Sequence, residues 1–389
     1  MPASTRTIAG LSAAHLVIDL YGPALPAIIS LLILQYGYSY LAAGLLITVY
    51  NAVSSLAQPG IGWIHDRKGM YLPLSISILV CGLFISVLGL APGFGVMLLF
   101  CSIAALGHAA FHPVALSLTG REATGANRGR VISYFVVGGN LGFALGPLVA
   151  GMAIELLGQG GILFMFLPAL AMAMVLPVLL PPFARRPPDT GAKVSRDTAP
   201  IAWKPVGILV AAASLRSIVI FGSIAFLPTF LAGQGFDLLA ANSILTLMLL
   251  VGVGGQVLGG AVSDRSGRKE TILAGMAATA LFLAGFLLLP GPADLVCLML
   301  FGFSLWSSFS VTLAIAHEFL PGNLGLASGL LLGLSMGVGG LGVAFIGGIG
   351  DAVGLEGAFW ALLLFTVLAT ILFIALPYPW RGRKTSNEN

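Results

Sequence analysis

Long apolar runs, separated by short polar or turn-forming segments, cover most of the chain. A membrane helix needs about 20 apolar residues to cross a ~30 Å hydrocarbon core. Twelve runs of this length can be marked, at 8–32, 40–62, 71–91, 94–118, 130–153, 161–182, 205–232, 238–262, 271–290, 293–317, 325–349 and 356–378. The pattern predicts an all-α membrane protein with twelve transmembrane helices.

Composition agrees with this class and argues against a soluble enzyme. Of the 389 residues, 58% are hydrophobic and 8% are charged, and the mean hydropathy is +1.02. Soluble domains carry about 25% charged residues. The sequence shows no soluble catalytic domain, no nucleophile–base set and no phosphate-binding GxxxxGK[ST] motif. We therefore expect a protein that is not an enzyme, needs no cofactor and has no nucleic-acid partner.

The distribution of basic residues predicts the orientation in the bilayer. If the N-terminus is inside, all of the 18 Lys and Arg residues except Arg216 fall on the cytoplasmic side. Short cytoplasmic loops of membrane proteins are enriched in Lys and Arg. We expect a multi-pass protein of the cytoplasmic (plasma) membrane with both termini in the cytoplasm, and nothing requires more than a monomer.

One long polar stretch divides the chain. Residues 183–204 hold three prolines and five basic residues, which is typical of a cytoplasmic linker. The sequence thus predicts an N-terminal six-helix bundle over 1–182 and a C-terminal bundle over 205–389 with a short cytoplasmic tail. The halves resemble each other at an offset of 198 residues, as when Gln58 matches Gln256. Such repeated bundles are typical of secondary transporters.

The clearest repeated element follows the second span of each half. It reads Gly62-Trp63-Ile64-His65-Asp66-Arg67-Lys68-Gly69 in the first half and Gly260-Ala261-Val262-Ser263-Asp264-Arg265-Ser266-Gly267-Arg268-Lys269 in the second. An Asp at a helix end followed by Arg can bridge to neighbouring helix termini, so we interpret Asp66, Arg67, Asp264, Arg265 and Arg268 as gating residues. The pattern resembles the signature loop of the major facilitator superfamily. This resemblance implies the major facilitator fold of two pseudo-symmetric six-helix bundles.

The fifth span carries glycines at four-residue spacing. Gly138, Gly142 and Gly146 precede Pro147, a pattern that lets a neighbouring helix approach closely and bends the helix at the proline. We interpret Gly142, Gly146 and Pro147 as helix-packing residues. The segment also resembles the antiporter motif of drug/proton exchangers, and tight packing without bearing on transport direction is the alternative interpretation.

Several stretches resemble the fosmidomycin-resistance efflux proteins within that superfamily. They are Ser12-Ala13-Ala14-His15 with Asp19, Gly107-His108-Ala109-Ala110-Phe111-His112-Pro113, Val137-Gly138-Gly139-Asn140 and Glu318-Phe319-Leu320-Pro321-Gly322. The resemblance implies export of small anionic or amphiphilic toxic compounds, driven by the proton gradient. Many drug/proton antiporters carry an Arg in the fourth span. None occurs over 101–106, so their coupling scheme cannot be transferred.

Two charged residues lie in the middle of predicted spans, Asp19 in the first and Arg216 in the seventh. Charges inside a membrane are costly, which makes them functional candidates. Arg216 is our candidate for binding an anionic substrate, since guanidinium pairs with carboxylate or phosphonate. Asp19, with His15 one turn away, is the candidate proton carrier. The alternatives are an Arg216–Asp19 pair that ties the halves together and a fixed His15–Asp19 pair.

Other polar positions in the spans extend the candidate site. His108 and His112 share a helix face at i, i+4 spacing and are candidates for substrate binding or proton relay. As a metal pair they lack an apparent third ligand, so no metal is expected. Trp306, Asn140 and Tyr50 are further substrate-binding candidates, although helix packing explains such residues equally well.

Together these patterns predict a secondary active transporter that works on a small molecule and protons within the lipid bilayer. The favoured activity is proton-coupled antiport that exports a small toxic compound, such as a fosmidomycin-like antibiotic. Proton symport or facilitated uptake of an anionic metabolite is the alternative, followed by a membrane sensor that does not transport.

Overall fold

The computed structural model describes residues 3–68, 72–122, 128–180, 202–321 and 323–380. Every regular element in these ranges is helical. The α-helices are α1 (Ala3–Asp19), α2 (Tyr21–Tyr36), α3 (Tyr40–Lys68), α4 (Leu74–Ser86), α5 (Phe94–Glu122), α6 (Arg128–Leu157), α7 (Phe166–Leu179), α8 (Trp203–Gly233), α9 (Leu238–Ser266), α10 (Arg268–Leu288), α11 (Pro292–Phe319), α12 (Leu324–Ser328) and α13 (Met336–Ala375). Short 3₁₀ segments cover Leu88–Leu90 and Gly158–Met165, and a π-helical segment covers Gly329–Ser335.

Within the described ranges, nine helical segments are long and apolar enough to cross a membrane. Two of them, Arg130–Leu179 and Leu326–Ala375, are 50 residues long. Each suffices for two passages, since about 20 residues span the bilayer core. The apolar helix α4 is shorter. The all-α membrane fold is confirmed, and the helices are consistent with the twelve predicted passages.

Proline and glycine explain where the long segments break. The first passage is divided after Asp19, because Pro23 lacks the N–H group that would bond the Asp19 carbonyl. Within α13, Gly354 adopts a φ of +81°, which L-residues with a side chain rarely adopt. This kink falls in the predicted gap between the last two spans, 349 to 356.

The described residues form two compact units. The first unit contains the described residues up to 180 together with Ile224–Thr246, and the second contains 202 to Ser223 and Leu247 to 380. In the first unit α1 packs on α6, and both α3 and α4 pack on α5. In the second unit α10 packs on α11 and α13. The predicted linker, 183–204, lies outside the described residues except for its last three positions.

The contact between α1 and α6 is unusually close. A Cβ atom on Gly138, Gly142 or Gly146 would lie 2.0 to 2.4 Å from the backbone carbonyl oxygen of Ser12 or Leu16 in α1, or of Leu20 just after it. No side chain fits at that distance, so the two helix backbones touch along this face. Pro147 follows inside α6. This packing holds the polar face of α1, with His15 and Asp19, against α6.

Candidate functional site

Four ionisable side chains of the first unit meet around one carboxylate, and we call His15, Asp19, His108 and His112 the Asp19 cluster. His15 Nε2 lies 3.1 Å from Asp19 Oδ2, within α1. His108 Nε2 and His112 Nε2, both on α5, each lie 3.3 Å from Asp19 Oδ1. The structure thus brings together the residues that the sequence analysis had divided between a proton site and a substrate site.

The hydrogen bonds of His15 and His112 define what these rings present to Asp19. His15 Nδ1 lies 2.8 Å from the Phe135 carbonyl oxygen, and His112 Nδ1 lies 3.0 Å from the His108 carbonyl oxygen. A carbonyl oxygen only accepts, so each Nδ1 carries the hydrogen. In a neutral ring, Nε2 is then an acceptor that faces a carboxylate oxygen. These two contacts therefore require a proton, on the ring or on the carboxyl group, or a metal ion between the atoms.

The contact between His108 and Asp19 differs from the other two. The Gln58 amide donates to Ser54 Oγ at 3.2 Å, so the Ser54 hydroxyl hydrogen is available for His108 Nδ1, 3.0 Å away. With the hydroxyl as the donor, His108 carries its own hydrogen on Nε2, directed at Asp19. At 3.3 Å this contact is long for a hydrogen bond to a carboxylate, which is typically about 2.7–2.9 Å. Asp19 Oδ1 remains without a hydrogen bond of ordinary geometry.

Gly139 of α6 makes room for this arrangement. A Cβ atom there would lie 2.4 Å from His15 Cε1 and 2.8 Å from Asp19 Oδ2. The His15 ring stacks on Phe135, with centroids 4.0 Å apart. The sequence analysis had treated Gly139 only as part of a motif and did not identify its role beside Asp19. The Asp and His side chains keep 11% to 19% exposure, so the cluster remains accessible.

The fold gives His112, one of the two histidines of α5, the partner ligands that the sequence did not show. The sequence offered no third ligand for His108 and His112, but α1 contributes both Asp19 and His15. One ligand atom each from His15, Asp19 and His112 lie within 4.8 Å of one another. These three residues could therefore hold a metal ion.

Two further substrate candidates belong to the first unit. Tyr50 is 3% exposed, and its ring centroid lies 5.6 Å from that of His108. Its hydroxyl lies 3.7 Å from Cys81 Sγ. Asn140 follows Gly139 in α6 and is partly buried. Tyr50 therefore adjoins the Asp19 cluster directly.

Arg216 of α8 is the ionisable centre of the second unit. It is 3% exposed, and its Nη1 donates to Ser308 Oγ at 3.1 Å and to Thr312 Oγ1 at 3.2 Å. Its Cζ lies 5.1 Å from the Phe309 ring centroid, and its Nε is buried without a hydrogen bond. Within this unit, no carboxylate among the described residues pairs with it. A buried guanidinium solvated only by neutral groups can receive an anion.

The sequence analysis missed the α11 residues around Arg216. Ser308 and Thr312 lie one helical turn apart on one face of an apolar helix. This pair of hydroxyls was the sequence pattern that could have indicated them. The predicted Trp306 lies in the same helix, with its ring centroid 5.6 Å from that of Phe309. A Cβ atom on Gly252 would lie 2.5 Å from Trp306 Cδ1, so the indole also packs closely on α9.

The predicted gating residues of the second unit join an ionic network. Arg268 Nη1 lies 3.2 Å from Asp264 Oδ1, and Arg268 Nε donates to Glu318 Oε1. The Tyr378 hydroxyl donates to Glu318 Oε2. Arg265 is exposed. Glu318, which the sequence analysis had not placed in the gate, thus links α10 to the segment after α13.

The corresponding loop of the first unit is described only in part. Arg67 Cζ lies 5.9 Å from the Trp63 ring centroid. The side chain of Asp66 and residues 69–71 lie outside the described part of the chain.

A helical, multi-pass membrane fold with ionisable groups buried in apolar helices is the architecture of a membrane transporter. The family model of the Major Facilitator Superfamily matches residues 8–343. The chain belongs to this superfamily of transporters, as its repeated Asp-Arg loop indicated.

Two relatives and one solved structure are similar to this chain over most of its length. It is 34% identical to the fosmidomycin resistance protein of Escherichia coli (strain K12), over 95% of this chain and 92% of that protein. It is 31% identical to the MFS-type transporter YfnC of Bacillus subtilis (strain 168), over 92% and 90%. A bacterial homologue of the human lysosomal transporter Spinster, in an inward-facing and occupied conformation, superposes with a TM-score of 0.84 at 17% identity, covering 97% of each chain. At that identity the superposition shows the fold alone.

Proposed function

We propose that this protein is a proton-coupled antiporter that exports a small anionic or amphiphilic toxic compound, such as a fosmidomycin-like antibiotic. The observation that carries the proposal is the buried Arg216, which has no carboxylate partner among the described residues of its unit. The 34% identity to a fosmidomycin resistance protein supports the choice of substrate. The protein acts in the cytoplasmic membrane, with both termini in the cytoplasm.

Arg216 binds the anionic group of the substrate. Its Nη1 is engaged by Ser308 and Thr312, whereas its Nε has no partner. A carboxylate or phosphonate that accepts from this edge of the guanidinium gains a charge-assisted hydrogen bond. Phe309 and Trp306 offer apolar surface to the rest of an amphiphilic molecule.

The Asp19 cluster carries the proton. Nδ1 of both His15 and His112 is committed to a carbonyl oxygen, so a proton added to Nε2 turns an acceptor–acceptor contact with Asp19 into an ion pair. The groups that face Asp19 are His15 from α1, and His108 and His112 from α5. Tyr50 of α3 adjoins them through His108. We therefore assign His112 to the proton site together with Asp19 and His15.

Alternating access requires that the cytoplasmic side open and close, and the two Asp-Arg loops serve as its gate. The bonds of Arg268 to Asp264 and Glu318 support this role, because they join the ends of α9, α10 and α11. Breaking such charged contacts in one state and forming them in the other would give two discrete arrangements.

Transport in vesicles tests the proposal directly. Everted membrane vesicles with an imposed proton gradient, a pH-reporting dye and a metal chelator are challenged with anionic antibiotics, including fosmidomycin. We expect substrate addition to release protons from wild-type vesicles. The Asp19→Asn variant should lose proton release but keep substrate counterflow, whereas Arg216→Gln should lose both.

Three results would contradict antiport. Proton movement in the same direction as the substrate indicates symport, and flux without proton movement indicates facilitated transport. Ligand binding without flux indicates a sensor. The Cys297→Ser variant is the control, since this partly exposed thiol has no place in either site.

A further inference from the structure

We infer that His15, Asp19 and His112 form a binding site for a divalent transition-metal ion of the zinc class. The site uses the Asp19 cluster but does not rest on the transport proposal, because it concerns equilibrium binding to the resting protein.

The spacing of the ligand atoms fits tetrahedral coordination. With metal–ligand bonds of about 2.0–2.1 Å, two ligands of a tetrahedral ion lie about 3.3–3.4 Å apart. His15 Nε2 and His112 Nε2 lie 3.1 and 3.3 Å from the two Asp19 oxygens. All three residues place one ligand atom within 4.8 Å of the others. Binding one ion would require the side chains to rotate until all three ligand atoms reach this separation.

Both imidazoles are already oriented as metal ligands usually are. A metal-bound histidine almost always donates its other ring N–H to a carbonyl, a carboxylate or water. Here the Phe135 and His108 carbonyls accept from Nδ1 of His15 and His112. The Nε2 lone pairs therefore point at the Asp19 carboxylate, where a cation removes their repulsion.

The surroundings leave room for an ion and supply an outer partner. Gly139 presents no side chain to His15 or Asp19. Asp19 Oδ1 lacks a hydrogen bond of ordinary geometry, so a lone pair is available for the metal. His108 Nδ1 contacts the Ser54 hydroxyl and its Nε2 lies 3.3 Å from Asp19 Oδ1, so His108 is an outer partner of the carboxylate. Three protein ligands leave the fourth position for water, as in open zinc sites.

The donor set selects the kind of ion. Two imidazole nitrogens and one carboxylate suit Zn²⁺ and related transition metals. Ca²⁺ and Mg²⁺ require a shell of oxygen ligands, which this cluster does not offer.

Cobalt spectroscopy on the purified full-length protein tests the site. The tag is removed, the protein in detergent is stripped with a chelator, and Co²⁺ is titrated without substrate or a gradient. We expect one Co²⁺ per chain, with the intense visible bands of a tetrahedral ion, and displacement by Zn²⁺. Zn²⁺ should also raise the melting temperature, because a ligand that binds the folded state stabilises it.

Variants assign the ligands. His15→Gln, His112→Gln and Asp19→Asn should each weaken Co²⁺ binding by more than about 100-fold, whereas loss of an outer partner in His108→Gln should cost about 10-fold. His317→Gln is the matched control, since His317 lies in the second unit and bonds Ser328. Circular dichroism of the metal-free variants checks that each one folds.

The inference is wrong if Co²⁺ gives only octahedral bands or no stoichiometric binding. It is equally wrong if His15→Gln and His112→Gln variants that fold still bind normally, or if His317→Gln abolishes binding. Transport is assayed with a chelator present, and metal binding is assayed without substrate. A negative result for one proposal therefore does not contradict the other.

Discussion

His15 and His112 show how a backbone carbonyl can define the chemistry of a side chain. Each ring is restrained at Nδ1, so the contact of its Nε2 with Asp19 needs a proton on one of the two groups or a metal ion between them. The third histidine, His108, differs because its Nδ1 partner is a hydroxyl. The three histidines around this carboxylate are therefore not equivalent. Only the Nε2 contacts of His15 and His112 with Asp19 need an added proton or a metal ion.

Replacing Gly139 tests this arrangement at a residue without ionisable groups. In Gly139→Ala the added methyl overlaps His15 and Asp19, so we expect proton-coupled transport and Co²⁺ binding to fall together. Overpacking of this kind costs about 1–3 kcal/mol of stability. Vesicle transport and cobalt titration measure the effect.

Gly120→Ala is the matched control for that change. A Cβ atom on Gly120 would meet nothing within 4 Å, so both activities should be preserved. Normal coupling in Gly139→Ala would contradict the geometry of the cluster.

Arg216→Lys separates charge from shape in the second unit. Lysine keeps the positive charge but loses the planar fork that can bond Ser308, Thr312 and an anion together. We expect the substrate KM to rise about tenfold, or ~1.4 kcal/mol, as measured by counterflow. Arg121→Lys, an exposed position at the end of α5, should leave KM unchanged. An unaltered KM in Arg216→Lys would argue against bidentate binding.

At this scale the sequence predicted part of the site. The i, i+4 pairs His15–Asp19 and His108–His112 could be found from helical spacing, and Arg216 from its place inside an apolar span. That the two pairs meet could not be predicted, because it depends on how α1 packs beside α5. The need for glycine at 139 likewise follows only from the approach of α6.

At the scale of the helix, α1 and α6 pack through matched repeats. Gly138, Gly142 and Gly146 recur every four residues, and so do the carbonyls that they face, those of Ser12 and Leu16 in α1 and of Leu20 after it. Four-residue spacing keeps one face of each helix in register over several turns. The close approach allows weak Cα–H···O contacts between the backbones and sets the depth of His15 and Asp19.

Gly142→Ala should weaken this packing. Its Cβ would lie 2.0 Å from the Leu16 carbonyl oxygen, so the helices must separate, and we expect a cost of about 1–3 kcal/mol. Thermal unfolding in detergent measures it. Gly60→Ala, where the methyl meets nothing within 4 Å, should melt like the wild type. Equal melting of both variants would contradict the close packing.

The hydropathy pattern predicted the helices well. A segment that crosses lipid must satisfy its backbone hydrogen bonds internally, as a helix does, and its side chains must be largely apolar. The break at Gly354 falls in a gap that the apolar pattern already showed. The interruption after Asp19 was not predicted, although Pro23 was visible, because a proline within an apolar run does not reveal whether the helix bends or stops. The π-helical segment Gly329–Ser335 had no signal in the pattern.

At the scale of the whole molecule, distant parts of the chain are held together by a few charged contacts. Glu318→Gln removes the carboxylate that accepts from Arg268 and Tyr378. We expect hydrogen exchange at 370–380 to quicken about fivefold, since these bonds hold the segment. Mass spectrometry measures it. Glu356→Gln, at an exposed position in α13, is the control and should leave the exchange unchanged. Unchanged exchange in Glu318→Gln would show that Glu318 does not hold this segment.

The predicted orientation can be tested by cysteine labelling. In a Cys297→Ser background, Gln234→Cys should react with an impermeant maleimide in intact cells, because the loop after α8 is predicted to lie outside. Ser266→Cys, in the Asp-Arg loop, should react only after permeabilisation. Both positions are exposed. The reverse pattern would invert the topology.

A series of contacts runs from the Gln58 amide, which donates to Ser54 Oγ, through Ser54 and His108 Nδ1 to the 3.3 Å contact between His108 Nε2 and Asp19 Oδ1. The series begins at an amide, which neither releases nor takes up a proton near neutral pH. This series therefore offers no route by which a proton on Asp19 could pass beyond Gln58. In the proposed antiport, protons reach Asp19 through the exposed side of the cluster, where the inferred metal ion also binds.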